Sequence, residues 1–209
     1  MSLPKYYNDN VFLNCPFDSL YKPLFDAMVF TVHDCGFIAR CALEEVDASE
    51  VRIDKIYNII EDCRYGIHDI SRTELDNDSG FPRFNMPLEL GVFLGAKKFG
   101  QLEQKRKYCL ILDKEPYRYQ EFISDIAGQD IHAHNNDAEE IVTIVRNWLT
   151  TASRRKRIPG GRKIWEHYQD FTKDLPQLAQ VNQLTVEELI FNDYVLLLAQ
   201  WLRFRQFEN

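Results

Sequence analysis

Two kinds of hydrophobic spacing take turns along the first two-thirds of the chain. Short continuous apolar runs predict strands, and apolar residues three and four apart predict helices. Val11–Cys15 is such a run, ended by Pro16. Leu24, Phe25, Met28, Val29 and Val32 then keep helical spacing, with Pro23 near the start and Gly36 as a stop signal. Phe37–Ala42 predicts a second strand, and Ser49 is placed to cap a helix whose Ile53, Ile56, Tyr57 and Ile60 share a face. Tyr65–Ile70 is a third strand. A further helix is predicted to open with Asn85 as N-cap and Pro87 at an early position, and its Met86, Leu90, Phe93 and Leu94 form one stripe. Gly91 and Gly95, one turn apart on it, are expected to admit another backbone or a ligand. Tyr108–Asp113 is apolar throughout, as a central parallel strand should be. Gln120–Ala127 reads as helical, Ile131–Ala133 as a short edge strand and Ala138–Thr150 as an amphipathic helix.

Strand and helix alternating at this spacing predict an α/β fold, a doubly wound, mainly parallel sheet of flavodoxin-like type. The alternation ends with a basic, glycine-containing stretch, residues 154–162, which divides the α/β domain (1–153) from a helical extension (163–209). Arg154-Arg155-Lys156-Arg157 within it is expected to be a solvated linker rather than a docking patch. The extension carries two helical stretches, Lys163–Lys173 and Thr185–Gln206, the second with Thr185 and Glu188 at capping-box spacing. Too short to fold alone, it is expected to pack on the main domain or on a second subunit.

Composition narrows the class of protein. Of 209 residues, 45% are hydrophobic and 27% charged, as in globular proteins, and no apolar run approaches a membrane span. The net charge of −7 argues against bulk nucleic-acid binding. Five scattered cysteines without a CxxC pair fit neither a disulfide framework nor a zinc knuckle. With no apolar core in Met1–Tyr7 to make a signal peptide, they predict a cytoplasmic protein.

Ligands of doubly wound sheets bind beyond the carboxyl ends of the strands. The polar residues predicted there are Asn14 and Asp18 after the first strand, Arg40 after the second, Asp69, Ser71 and Arg72 after the third and Asp113 after the fourth. Glu89, in what the capping pattern makes the first turn of its helix, points to the same rim. A helix N-terminus favours an ionised carboxylate, and a carboxylate held as an anion beside a pocket stabilises or attacks developing positive charge. Arg40 and Arg72 are candidates for bidentate grip of phosphate or carboxylate. His68 is expected to face away from Asp69, since strand side chains alternate. His132 and His134 lack an evident third ligand, so no metal site is expected. Neither a Walker A loop nor GxGxxG is present.

The run Val11-Phe12-Leu13-Asn14-Cys15-Pro16-Phe17, Asp69 closing the third strand, Gly80, Glu89-Leu90-Gly91 and Ala96-Lys97-Lys98 resemble the nucleoside 2-deoxyribosyltransferases over roughly residues 11 to 113. The same shape is similar to TIR domains, some of which cleave NAD. The resemblance implies N-glycosidic bond chemistry on a small nucleoside or nucleotide, with no cofactor. Glu89 would be the nucleophile, Asp69 would orient it or bind ribose hydroxyls, and Asn14 would hold the sugar. Phe17, in the turn after the first strand, and Asn85, beside the glutamate, would complete the substrate site with Asp18, Arg40, Ser71, Arg72 and Asp113. It also implies a homo-oligomer, in the simplest case a dimer, because related transferases complete their sites across subunits.

Overall fold

The computed structural model describes residues 5–44, 49–74 and 80–207. Five strands, β1 (Asn10–Asn14), β2 (Ile38–Arg40), β3 (Tyr65–Asp69), β4 (Tyr108–Asp113) and β5 (Ile131–Ala133), form one sheet in the order 2-1-3-4-5. Every pairing is parallel. The strand order reverses direction between β1 and β3, which makes their carboxyl ends the switch point where such sheets hold ligands.

Among the described residues, six α-helices cover the two faces: α1 (Lys22–Asp34), α2 (Arg52–Glu61), α3 (Asn85–Phe99), α4 (Ala138–Ser153), α5 (Gly161–Val181) and α6 (Phe191–Phe207). Alternation along the strands sends Val11, Leu13, Tyr65, Ile67, Leu110 and Leu112 into a large core with α1, α4, α5 and α6. Phe12 and Ile111 point the other way, into smaller cores against α2 and α3 and against the segments after β4. Gly66 lies on that second face, and a methyl group there would stand 2.6 Å from the Phe93 ring of α3. Only glycine lets helix and strand approach this closely.

Several sequence expectations are corrected in detail. Helix α2 starts at Arg52 after Val51, so Ser49 is not its cap. The segment Gln120–Ala127 is two 3₁₀ turns, Arg118–Glu121 and Ser124–Ile126, rather than one helix. Gly91 and Gly95 approach nothing: a methyl group at either would meet open space. Arg155 is no solvated linker residue. Its guanidinium lies 3.8 Å over the Phe37 ring, donates to Gly36 O at 2.6 Å and pairs with Asp9. Helix α5 starts at Gly161, and Arg146 of α4 holds the connecting segment through Pro159 O and Ile158 O.

Helices α5 and α6 complete the large core. The Phe30 ring of α1 packs against Tyr168, Phe171 and Trp201, and Phe25 against Phe191. Polar ties reinforce this packing, His167 to Asp34 at 2.9 Å and Tyr194 Oη to Asp26 O at 3.1 Å. The capping box of Thr185 and Glu188 is present, on a 3₁₀ turn ahead of α6. No helix among the described residues is long and apolar enough to cross a membrane.

Candidate functional site

Helix α3 opens one residue earlier than its capping pattern suggests. Phe84 occupies the N-cap, with Leu88 N–H donating to its carbonyl at 3.0 Å, and Asn85 is the first helical residue. Glu89 therefore lies in the second turn, past the free N–H groups whose field was expected to hold it ionised. It is only 8% exposed and makes no hydrogen bond or ion pair among the described residues. Desolvation raises its pKa to about 7, against a smaller lowering by the Arg52 charge. The expectation of a fully ionised carboxylate is thus overturned, because burial outweighs the dipole.

Glu89 lines a cleft of about 180 Å³ between the N-terminal halves of α2 and α3, with Arg52, Ile53, Ile56, Asn85 and Leu88 as the other walls. Both helices follow strand ends, so the cleft belongs to the carboxyl edge of the sheet. Its walls are apolar apart from Arg52, Asn85 and Glu89 itself. Arg52 had no sequence signal, since nothing in its neighbourhood showed that α2 would present it to α3.

Asp69 does not line that cleft. Strand alternation turns it to the opposite face, where Tyr21 Oη donates to Oδ2 at 2.5 Å and Ser71 N–H donates to Oδ1 at 2.8 Å. His134 Nε2 is 3.0 Å from Oδ2, close but poorly aligned for a hydrogen bond. Asn136 N–H donates to His134 Nδ1 at 3.1 Å, which leaves the ring proton on Nε2, toward Asp69. Burial alone would raise the Asp69 pKa, but these donors outweigh it and hold the carboxyl below its usual value. Asp69 is a buried anion whose needs are already met.

His68 does face away from Asp69, as expected, and is the β3 residue that shares the α3 face. Its Nδ1 lies 2.9 Å from Asn14 Nδ2, and the same Nδ2 donates to Met86 O at 2.8 Å. Asn14 thus ties the end of β1 to the start of α3 across the switch point. Burial lowers the His68 pKa to about 3, so the ring is neutral, and its Nε2 is buried without a partner. Asn14 and His68 build the floor on which α3 presents Glu89.

The remaining predicted residues are distributed rather than convergent. Ser71 and Arg72 line a second, polar cleft of about 280 Å³ on the α1 side, with Glu74, Lys114 and Asn136. Arg72 pairs with Asp18 at 3.2 Å, and Asp18 also accepts from Leu20 N–H and Tyr21 N–H, ordering the entry to α1. Arg40 is held bidentately by Glu44 at 2.7 Å and is not free to grip an anion. Asp113 is clamped by Arg118, whose guanidinium also reaches Thr73 and Ile70 O. Desolvation still keeps the Asp113 pKa raised. Phe17 borders a third, apolar groove of about 110 Å³ against Phe25 and α6. Sequence reading missed Arg118 and the pairing of His134 with Asp69. Both join residues of different strand-end loops, and only the fold brings them together.

The fold and the site define a doubly wound parallel α/β protein with a desolvated carboxylate in a cleft at the carboxyl edge of its sheet. Comparison with protein-family models, with curated proteins and with solved structures found no match.

Proposed function

We propose that this protein acts on the N-glycosidic bond of a nucleoside or nucleotide, with Glu89 as the reacting carboxylate. The observation that supports the reading is the state of Glu89, a desolvated carboxyl on the wall of a cleft with no hydrogen bond or ion pair among the described residues. Its anion has lost hydration, and the Arg52 charge across the cleft makes up only part of that loss. Positive charge developing at a sugar's anomeric carbon would supply what it lacks, so the attraction grows from ground state to transition state. A Glu89 oxygen bonds to that carbon as its bond to the base nitrogen breaks, and the base leaves with the electron pair. Water or an acceptor base then displaces the ester and restores the carboxylate.

The raised pKa bears on the leaving group. A pyridinium base such as the nicotinamide of NAD departs without protonation, and its charge would itself draw Glu89 toward the ionised form. A neutral purine needs a proton donor, which Glu89 cannot be while serving as nucleophile. Asp69 is held ionised and Asp113 is clamped by Arg118, so neither is a ready donor. The reading therefore favours NAD or a related cationic substrate. All five cysteines are free thiols, which fits the reducing cytoplasm.

A nucleotide-binding module without turnover is the second reading. It is favoured by the absence of Asp69 from the Glu89 cleft, since no second carboxylate lines it. The test is chromatography of free base after incubation of wild type and Glu89→Gln with NAD and a panel of nucleosides, deoxynucleosides and nucleotides. Wild type is expected to release base at a rate that climbs as pH passes about 7, and Glu89→Gln to lose at least about 100-fold. No turnover, with a nucleotide raising Tm, would establish the module instead.

A further inference from the structure

Helix α3 is apolar on the side that faces away from the protein as well as on the side that faces the sheet. Phe93, Met86 and Leu90 fill the inner face. At 100° per residue, Phe84, Leu88, Gly91, Gly95 and Phe99 fall on one stripe on the opposite side. The large members are open to solvent, Phe84 by 62%, Leu88 by 57% and Phe99 by 84%, and Leu102 in the following turn by 78%. A helix hydrophobic all round is normally covered all round. At roughly 200 Å² for each large side chain, these four expose on the order of 550 Å². That is the upper end of what a monomer tolerates as one patch.

We propose that this stripe is a two-fold interface between two copies of the chain, formed by antiparallel crossing of their α3 helices. The positions on the stripe are symmetric about a point between Gly91 and Val92, and their sizes are complementary across it, large against large at one pair and large against small at the other. Phe84 and Phe99 are equidistant from it, and so are Leu88 and Gly95. A two-fold axis there sets each Phe84 beside the other copy's Phe99 and each Leu88 over the other copy's Gly95. Gly95 offers the hole, since nothing lies within 4 Å of where its Cβ would be. Gly91, equally open, lets the backbones meet at the axis. Antiparallel crossing also keeps the two copies' Lys98 side chains at opposite ends of the contact. Two stripes face to face, each with its Leu102, would cover on the order of 1,100 Å² of apolar surface before backbone and polar rim are added. That brings the contact to the lower bound of stable interfaces, about 1,200 Å² in total. Leu88 and Asn85 also form a lip of the Glu89 cleft, so the second copy would stand at its mouth. The interface does not depend on what Glu89 does.

Sedimentation velocity of the full chain tests this. Wild type is expected to sediment at twice the chain's mass at micromolar concentration. Gly95→Arg and Phe99→Glu, both at exposed or open positions, should each sediment as monomers with unchanged far-UV circular dichroism. Leu196→Arg, on the exposed side of α6, should remain dimeric. Gly91→Cys, at the axis, should form a disulfide-linked dimer under mild oxidant. A monomeric wild type would overturn the proposal. So would a dimer that survives both Gly95→Arg and Phe99→Glu, or one lost equally in Leu196→Arg.

Discussion

Burial and an early helix start act on Glu89 in the same direction. The first removes water from its carboxylate, and the second moves it out of reach of the N–H groups that would have replaced that water. The consequence for stability has a definite sign. A carboxyl whose folded pKa is about 7 against an unbound value of 4.5 favours folding while protonated, and this contribution is lost as pH rises from 4.5 to 7. The loss amounts to about 3 kcal/mol at pH 8. Glu89→Gln keeps the shape without the charge, so it is expected to be more stable than wild type by up to that amount at pH 8. Near pH 4.5 the two should be nearly equal. Urea unfolding at the two pH values measures it, and a difference independent of pH would contradict the burial argument. Opposite effects of one substitution on activity and stability are what a functional carboxylate produces.

Individual elements were legible where their signal was local. The continuous apolar runs marked the central strands, β4 to the residue, because a strand covered on both faces needs no polar positions; the edge strand β5, Ile131–Ala133, was read from a shorter and partly polar stretch. The capping box before α6 was equally plain, as it is written in four consecutive residues. What escaped depended on neighbours distant in the chain. Asn85 looks like a cap only until Phe84 is seen to occupy the position. Asp69 and Glu89 looked convergent because each closes or follows the same strand, yet alternation places them on opposite faces. The glycines were misjudged for the same reason. Gly91 and Gly95 are open, whereas Gly66, unremarked in its strand, sits under Phe93. Gly66→Ala is expected to cost about 1–3 kcal/mol by overpacking, since its new methyl would meet Phe93 at 2.6 Å and His68 Nε2 at 2.8 Å. A lowered urea midpoint with unchanged m-value reads it.

The whole molecule is one packing unit from α1 to α6. A chain ending at Ser153 would expose the side of Phe30 that Tyr168, Phe171 and Trp201 now cover. It is expected to keep far-UV signal, lose near-UV signal and bind a hydrophobic dye, as partly packed states do. A cooperative, dye-free 1–153 fragment would show instead that the sheet stands alone. The thiols impose a limit at alkaline pH. Burial raises Cys35, Cys41 and Cys109 to about 12, and pushes Cys15 and Cys63 up as well. Groups whose folded pKa lies above the unfolded value stabilise below the latter and cease to do so as pH rises toward the former. Each thiol therefore removes about 1.4 kcal/mol per pH unit above pH 9. Lys107 runs the other way. Buried between Tyr7 and Phe93 and donating to Ile60 O, it has its pKa lowered to about 8 and gains stability as pH rises from there. Above pH 7, where Glu89 has already titrated, five thiols outweigh one amine, so stability should pass through a maximum near pH 8 to 9 and collapse within about one to two units above it. Tm measured against pH checks the position of that maximum.

The ring cluster around Phe30 also sets a clock on the birth of the protein. Phe30 emerges from the ribosome early, while Trp201, which closes over it, is made 171 residues later. At translation rates of about 5–20 residues per second, that interval is roughly 10 to 30 s. For most of it, until Tyr168 and Phe171 emerge, the nascent chain carries an aromatic face without the rings that cover it, and the cover is complete only with Trp201. Such a chain needs a chaperone at the tunnel exit more than a protein whose first half closes on itself. Slowing synthesis before α6 would lengthen the exposure and lower the yield of folded protein.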